Sequence, residues 1–226
     1  MAGPKVGVVL SGCGFLDGAE ITEAVLTIYF LDREGAELHF FAPDIPQMHV
    51  VNHLKGEPAE GETRNVLAES ARIARGRISD VKTADPDALD ALVLPGGYGA
   101  AKNLCDFGVN GPDCGIDEDV ASLIRAMHER GKPLGFMCIA PAVAAKALGN
   151  GVELTIGNDA GTAQGIEKLG AKHRDRPVTE ICVDKAQRVV SAPAYMYGEA
   201  RPSEVGAGIE KLVLKIVEMA KAKAGV

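Results

Sequence analysis

No stretch of this chain stays apolar for the roughly 20 residues that a membrane-crossing helix needs, so no transmembrane helix is expected. The first residues, Met-Ala-Gly-Pro-Lys, run straight into strand-like Val6–Leu10 and predict no secretory signal. Positive charge is in deficit, with 24 Lys and Arg against 31 Asp and Glu and a net charge of −7. That balance excludes nucleic acid and anionic membrane surfaces as expected partners. The five cysteines, at 13, 105, 114, 138 and 182, are odd in number and have no CxxC spacing. They form neither a disulfide framework nor a zinc pattern, and they predict a reducing, cytoplasmic location. Repeats, low-complexity tracts and linkers with a composition shift are also missing. One domain over residues 1–226 is therefore expected.

What is present is an ordinary globular composition, 46% hydrophobic and 24% charged, which leaves no room for extensive disorder. Strand-like Val6–Leu10 is followed by a glycine-rich loop, a helical pattern from Ala19 to Glu34 with Ile21, Val25, Ile28 and Leu31 on one face, and a strand at Glu37–Ala42. This is a β–loop–α–β unit, and it implies parallel strands with a right-handed crossover. Residues 43–61 read as loop and Glu62–Arg75 as an amphipathic helix. Leu89–Leu94 is strand-like, 105–116 reads as a surface excursion, and Asp117 caps a helix to Arg130. A strand at Leu134–Met137 leads to a helix opened by Pro141, where the missing N–H of proline costs nothing. A short strand near Val152–Ile156, a helix near Thr162–Leu169, strands at Val178–Val183 and Arg188–Ser191, and a helix from Pro202 to Lys223 complete the chain. Alternating elements of this kind predict an α/β fold, a doubly wound, mostly parallel sheet with helices on both faces. Ligands are expected at the carboxyl ends of its strands.

Three strands end in unusual residues: the glycine loop after Leu10, Pro95-Gly96-Gly97 after Leu94, and Cys138 after Met137. A parallel sheet brings them to one edge. Cys138 lies at a strand–turn–helix junction that aims helix N-terminal amides at its thiol and lowers its pKa; position alone leaves it open between nucleophile and buried core cysteine. Gly96 and Gly97 permit close backbone approach, with N–H groups free to face an oxyanion. Glu20 and Glu23 open the first helix and bring a carboxyl to the same edge. A useful partner for the thiol is a neutral carboxylic acid, because a carboxylate would raise its pKa. The loop Ser11-Gly-Cys-Gly-Phe-Leu-Asp-Gly18 is one residue off the dinucleotide fingerprint, a weak nucleotide signal. His49 and His53 are spaced i, i+4 with no glutamate between them, so no metal site is expected. Arg64 and Asn65 sit within reach of the same edge.

Gly18-Ala19-Glu20-Ile21-Thr22-Glu23, Leu92-Val93-Leu94-Pro95-Gly96-Gly97 and Cys138-Ile139-Ala140-Pro141 resemble the ThiJ/PfpI superfamily, within the class I glutamine amidotransferase-like, three-layer flavodoxin-like fold. Leu10-Ser-Gly-Cys13-Gly, Asn52-His53-Leu54, Glu62-Thr-Arg64-Asn, Gly97 through Asn103, Gly135-Phe136-Met137-Cys138 and Pro193-Ala-Tyr-Met resemble its ElbB branch, known as glyoxalases or isoprenoid-biosynthesis-associated proteins. The similarity runs from the first strand to the last helix. It implies Cys138 as nucleophile, Glu23 as the acid hydrogen-bonded to it with Glu20 ranked second, and an oxyanion hole from the N–H groups of Gly97 and Ile139. Glu20, Gly96, Cys13, Asn103 and Arg64 are candidates either to touch the substrate or to support the groups that do. The implied reaction converts glyoxal, and methylglyoxal, to the 2-hydroxy acid with no cofactor and no metal; the implied assembly is a homodimer. Two departures stand out. Phe136 occupies a position, two before the cysteine, where the superfamily has a small residue. Gly157-Asn158-Asp159 stands where members often carry a histidine. A Cys–His–Glu amidotransferase triad is therefore not expected. The competing expectations are a redox-sensing or binding protein built on an oxidation-prone Cys138, and a degenerate amidotransferase subunit.

Overall fold

The computed structural model describes residues 3–223. In chain order the elements are β1 (Lys5–Val9), α1 (Ile21–Arg33), β2 (Glu37–Ala42), β3 (Val51–Asn52), β4 (Glu57–Pro58), α2 (Val66–Ile73), β5 (Ser79–Asp80) and β6 (Ala91–Leu94). After these come α3 (Phe107–Asn110), α4 (Glu118–Glu129), β7 (Leu134–Met137), α5 (Pro141–Leu148), β8 (Glu153–Leu154), α6 (Ala160–Lys168), β9 (Lys172–His173), β10 (Cys182–Asp184), β11 (Val189–Ala192) and α7 (Pro202–Lys223). Seven strands form one sheet in the order β10-β11-β7-β6-β1-β2-β5. Every pairing in it is parallel except β10 with β11, which the turn at Lys185–Gln187 folds back antiparallel. The doubly wound, mostly parallel architecture is the expected one. No helix among the described residues is long and apolar enough to cross a membrane.

The central strands are buried on both faces, and their alternation divides two cores. Val6, Val8 and Val93 pack with Leu31 of α1 and with Ile209, Leu212 and Ile216 of α7. Leu92, Leu94, Leu134 and Phe136 pack on the other face with Ile124 of α4 and Val143 of α5. Phe136 is fully buried in that second core. Its departure from a small residue is thus a matter of packing beneath α4 and α5, on the face away from α1.

Several boundaries differ from the sequence pattern. The buried side of α1 carries Glu23, Ala24, Thr27, Phe30 and Leu31, whereas Ile21 and Val25 are exposed. The helix is rolled so that its polar residues enter the site: Glu23 is fully buried, and Thr27 Oγ1 donates to Met137 Sδ at 3.5 Å. α2 begins at Val66, because Asn65 is extended, bridges to Pro46, and accepts from the Ala68 N–H as the cap. Residues 43–61 hold the β3–β4 hairpin, and β5 and β9 are two-residue strands too short to show a period. β10 starts only at Cys182, after a turn in which the Glu180 N–H donates to the Pro177 carbonyl. The 105–116 excursion turns its two cysteines inward.

Phe136→Ala should leave the topology intact but lower stability by about 3–5 kcal/mol, the cost of an aromatic-sized core cavity. Urea unfolding followed by circular dichroism measures it. A loss below about 1 kcal/mol would show that the core under α4 and α5 is not packed as described.

Candidate active site

β7 ends at Met137, and Cys138 takes a left-handed backbone with φ of 57° before α5 starts at Pro141. A side chain with a Cβ is strained there, and its surroundings must hold it. The Cys138 N–H is spent on the Ala192 carbonyl at 3.0 Å, which fastens the elbow to the end of β11. At the end of β6, Gly96 and Gly97 admit no side chain. A Cβ on Gly96 would lie 2.3 Å from the Cys138 Cβ, and one on Gly97 would lie 2.4 Å from the Glu20 nitrogen. Gly97 also has a φ of 94°. The three strand ends converge on one edge as expected.

Glu23 enters from the first turn of α1. Glu20 is the N-cap and accepts from the Glu23 N–H at 2.6 Å, while the Glu20 N–H donates to the Gly96 carbonyl at 2.9 Å. The buried Glu23 carboxyl accepts from the Gly96 N–H at 2.9 Å through Oε2 and from the Tyr195 N–H at 3.1 Å through Oε1. It also hydrogen-bonds with the Cys138 thiol. Burial, and next the charge of Glu20, push Glu23 from its ordinary 4.5 up to about 8, against the pull of the two amides and the thiol. At neutral pH it is a carboxylic acid.

The N–H groups of Gly97 and Ile139 reach the Cys138 sulfur and favour its thiolate. Burial works the other way and wins: it holds the thiol well above its ordinary range, with the Glu23 carboxylate adding to the effect when charged. The residue is only 7% exposed. The expectation of a lowered thiol pKa is therefore corrected. The elbow amides are in place, but desolvation outweighs them, and the resting pair is a thiol beside a carboxylic acid.

The thiol opens into a cavity of about 520 Å³ whose walls include Phe15, Tyr98, Phe107 and Tyr195. Glu20 is its only charged lining residue among the described residues. Of the candidates for touching the substrate or supporting the groups that do, Cys13, Asn103 and Arg64 do not line it. Asn103 is buried structure: its Nδ2 donates to the carbonyls of Ser11 and Asp17, and its Oδ1 accepts from the Met48 N–H. Arg64 pairs with Glu62 and Glu69, and Cys13 has Glu69 and Arg72 as charged neighbours, away from Cys138.

The glycine loop is not an anion cradle. The N–H groups of Gly14, Asp17 and Gly18 are spent on carbonyls within residues 14–19, that of Gly12 on Ser70 Oγ, and that of Leu16 on His53 Nε2. None of the five histidines lines the cavity. His173 instead accepts from the Ile156 N–H at 3.2 Å. No group of three or more potential metal ligands occurs among the described residues.

Tyr195 is the site residue that sequence reasoning passed over. In the sequence, Pro193-Ala194-Tyr195-Met196 carries a family resemblance and no chemical role. Here its turn, with Ala194 at a φ of 46°, presents the Tyr195 N–H to Glu23. Three aromatic walls, Phe15, Tyr98 and Tyr195, come from turns with no periodic signal, and Phe107 comes from the four-residue α3, too short to show one.

No protein-family model matches the chain. Among curated proteins, the human mitochondrial glutamine amidotransferase-like class 1 domain-containing protein 3 is 48% identical, over 95% of this chain and 83% of its own length. The mitochondrial ES1 protein of Danio rerio is 35% identical over 85% of this chain and 77% of its own. A crystal structure of an isoprenoid biosynthesis protein with amidotransferase-like domain from Ehrlichia chaffeensis superposes with a TM-score of 0.88 at 38% identity, covering 95% of this chain and 99% of that one. Glyoxalase III from Candida albicans shares the fold at a TM-score of 0.61 and 13% identity, over 94% and 97% of the two chains. The cytoplasmic expectation is overturned by the relatives' names, which are those of mitochondrial proteins. Organellar addresses are read by receptors and leave no mark on the cysteine spacing from which that expectation came. By identity over nearly its whole length, the chain belongs to the glutamine amidotransferase-like class 1 (ES1) family.

Proposed function

We propose that the protein is a cofactor-independent glyoxalase that converts glyoxal, or a related small dicarbonyl, to the 2-hydroxy acid through Cys138. The supporting observation is the buried Cys138–Glu23 pair, with Glu23 titrating near 8 and the amides of Gly97 and Ile139 at the sulfur. A carboxyl poised near the working pH serves as both acid and base.

The reaction opens with addition of the Cys138 sulfur to one aldehyde carbon. The S–C bond forms, the carbonyl π bond breaks, and the thiol proton goes to the new oxygen by way of Glu23, giving a hemithioacetal. The Gly97 and Ile139 amides stabilise negative charge on that oxygen as it develops. Glu23 then releases its own proton to water, as a carboxyl near 8 does readily, and as carboxylate removes the proton from the carbon bearing sulfur. A C=C bond forms, the neighbouring carbonyl π pair moves to its oxygen, and that oxygen takes a proton to give an enediol. A proton is then delivered to the neighbouring carbon while the hydroxyl on the carbon bearing sulfur loses its own and becomes C=O, which gives the thioester of the hydroxy acid. Water adds to the thioester, the C–S bond breaks, and the thiol and the 2-hydroxy acid leave. The sum is dicarbonyl plus water to hydroxy acid, with no external oxidant. The cavity offers aromatic walls and one carboxylate, Glu20, to hold the substrate.

The competing readings have less support. A peroxide-sensing thiol is favoured by a lowered pKa, whereas burial pushes Cys138 up. An amidotransferase triad needs a histidine, and none lines the cavity.

Cys138→Ser and Glu23→Gln should each lower glycolate formation from glyoxal by at least about a hundredfold, with circular dichroism unchanged. Wild-type rates in Cys138→Ser would contradict the thiol route. Stability gives a second signature. A carboxyl raised from 4.5 to about 8 binds its proton more tightly in the folded chain than in the unfolded one. Its contribution is therefore complete below 4.5 and is lost as pH rises through 8. Thermal melts of the wild type should fall relative to those of Glu23→Gln between pH 5 and pH 8; parallel curves would place the Glu23 pKa in its ordinary range.

A further inference from the structure

Cys105 and Cys114 take no part in the site described above. They stand at the two ends of a ten-residue stretch between Leu104 and the cap of α4, and both are buried, at 4% and 2% exposure. The two thiols are in hydrogen-bonding contact, and the one S–H of Cys105 has the Cys114 sulfur and the Ala100 carbonyl, the latter at 3.5 Å, as alternative acceptors. The backbone closes the stretch as well: Cys105 pairs with Ile116 in an antiparallel bridge, and the Asp117 N–H donates to the Leu104 carbonyl at 2.9 Å. Between the two cysteines lie Phe107 and Gly108, which form part of the cavity wall. Phe107 packs so tightly on α6 that a Cβ added to Gly165 would fall 2.7 Å from its ring.

We propose that Cys105 and Cys114 form a reversible oxidation site, in which a hydroperoxide closes a disulfide that pins the wall carrying Phe107. The chemistry is that of a paired thiol. The Cys114 sulfur attacks one oxygen of the hydroperoxide, the O–O bond breaks, and a sulfenic acid forms with release of water or alcohol. The Cys105 sulfur then displaces the hydroxyl group as water, and the S–S bond forms. Two thiols are oxidised and one peroxide is reduced. Cys114 is the attacking thiol: its contact with the Cys105 sulfur, helped by the charge of Lys146, lowers it against the effect of burial. Cys105, as the donor in that contact and a buried group, is pushed up. Asp113 and Gly115, which flank Cys114, are exposed, so only a small oxidant need reach the Cys114 sulfur from the surface. The site owes nothing to the glyoxalase reading, since neither thiol touches Cys138 or Glu23.

The test is mild hydrogen peroxide treatment of the full chain, with intact mass and non-reducing peptide mapping after thiol blocking in denaturant. To keep the nucleophile out of the measurement, it is run in parallel on Cys138→Ser. The expected result in both chains is a loss of about 2 Da, a crosslinked pair of peptides holding Cys105 and Cys114, and recovery by a dithiol reductant. Hydrogen exchange in residues 106–113 should slow several-fold in the oxidised form. Cys114→Ser should abolish the loss. Cys105 and Cys114 still fully alkylated after oxidation elsewhere in the chain, or the same mass loss persisting in Cys114→Ser, would overturn the assignment. Unchanged exchange in 106–113 once the disulfide has formed would overturn the pinning of the wall.

Discussion

The site rests on one buried carboxyl. Glu23 is the group that the ends of three elements share: it takes the Gly96 N–H at the end of β6, the Tyr195 N–H after β11, and the Cys138 thiol at the end of β7. A charged carboxylate in that position would carry the full penalty of desolvation, and two neutral N–H donors do not cancel it. Neutralisation by a retained proton removes the penalty. The same proton gives the carboxyl the donor that a thiol or a developing alkoxide can use. Stability and chemistry therefore draw on one protonation state.

That arrangement also explains the backbone around it. Gly96 and Gly97 are glycine because Cys138 and the entry to α1 come too close for any Cβ. The strained φ of Cys138 is held by its N–H on Ala192 and by the start of α5. Glu20 has two tasks. It caps α1, which fixes the rotation that buries Glu23, and its charge lies close enough to raise the Glu23 pKa. The amides of Gly97 and Ile139 are then poised for the thiolate that forms when substrate arrives, not for one that exists at rest.

Much of this was legible in the sequence, because strand ends in a parallel sheet are punctuated by glycine, proline and a cysteine with no structural partner. β2, β7 and the helices opened by Asp117 and Pro141 follow from periodicity and capping, and the three converging strand ends follow from the fold class. The roll of α1 did not follow from hydropathy, since its inward face carries Glu23 and Thr27 while Ile21 and Val25 face solvent. Tyr195 acts through its backbone N–H, which any residue could supply, so its identity held no signal. Asn103 and Arg64 have the residue types of a binding site, yet one is consumed by loop carbonyls and the other by neighbouring glutamates. The balance between elbow amides and burial at Cys138 depends on solvent exposure, which one-dimensional order does not carry.

The central claim is that Glu23 holds its proton through neutrality in the folded chain. Infrared difference spectra recorded against pH, with Glu23→Gln as the reference, observe that carboxyl directly. A carboxylic-acid band present at neutral pH, absent from the variant and lost with a midpoint of about 8, is the predicted result. A band already lost near the ordinary value of 4.5 would contradict it, and with it the neutral acid on which the proposed chemistry depends.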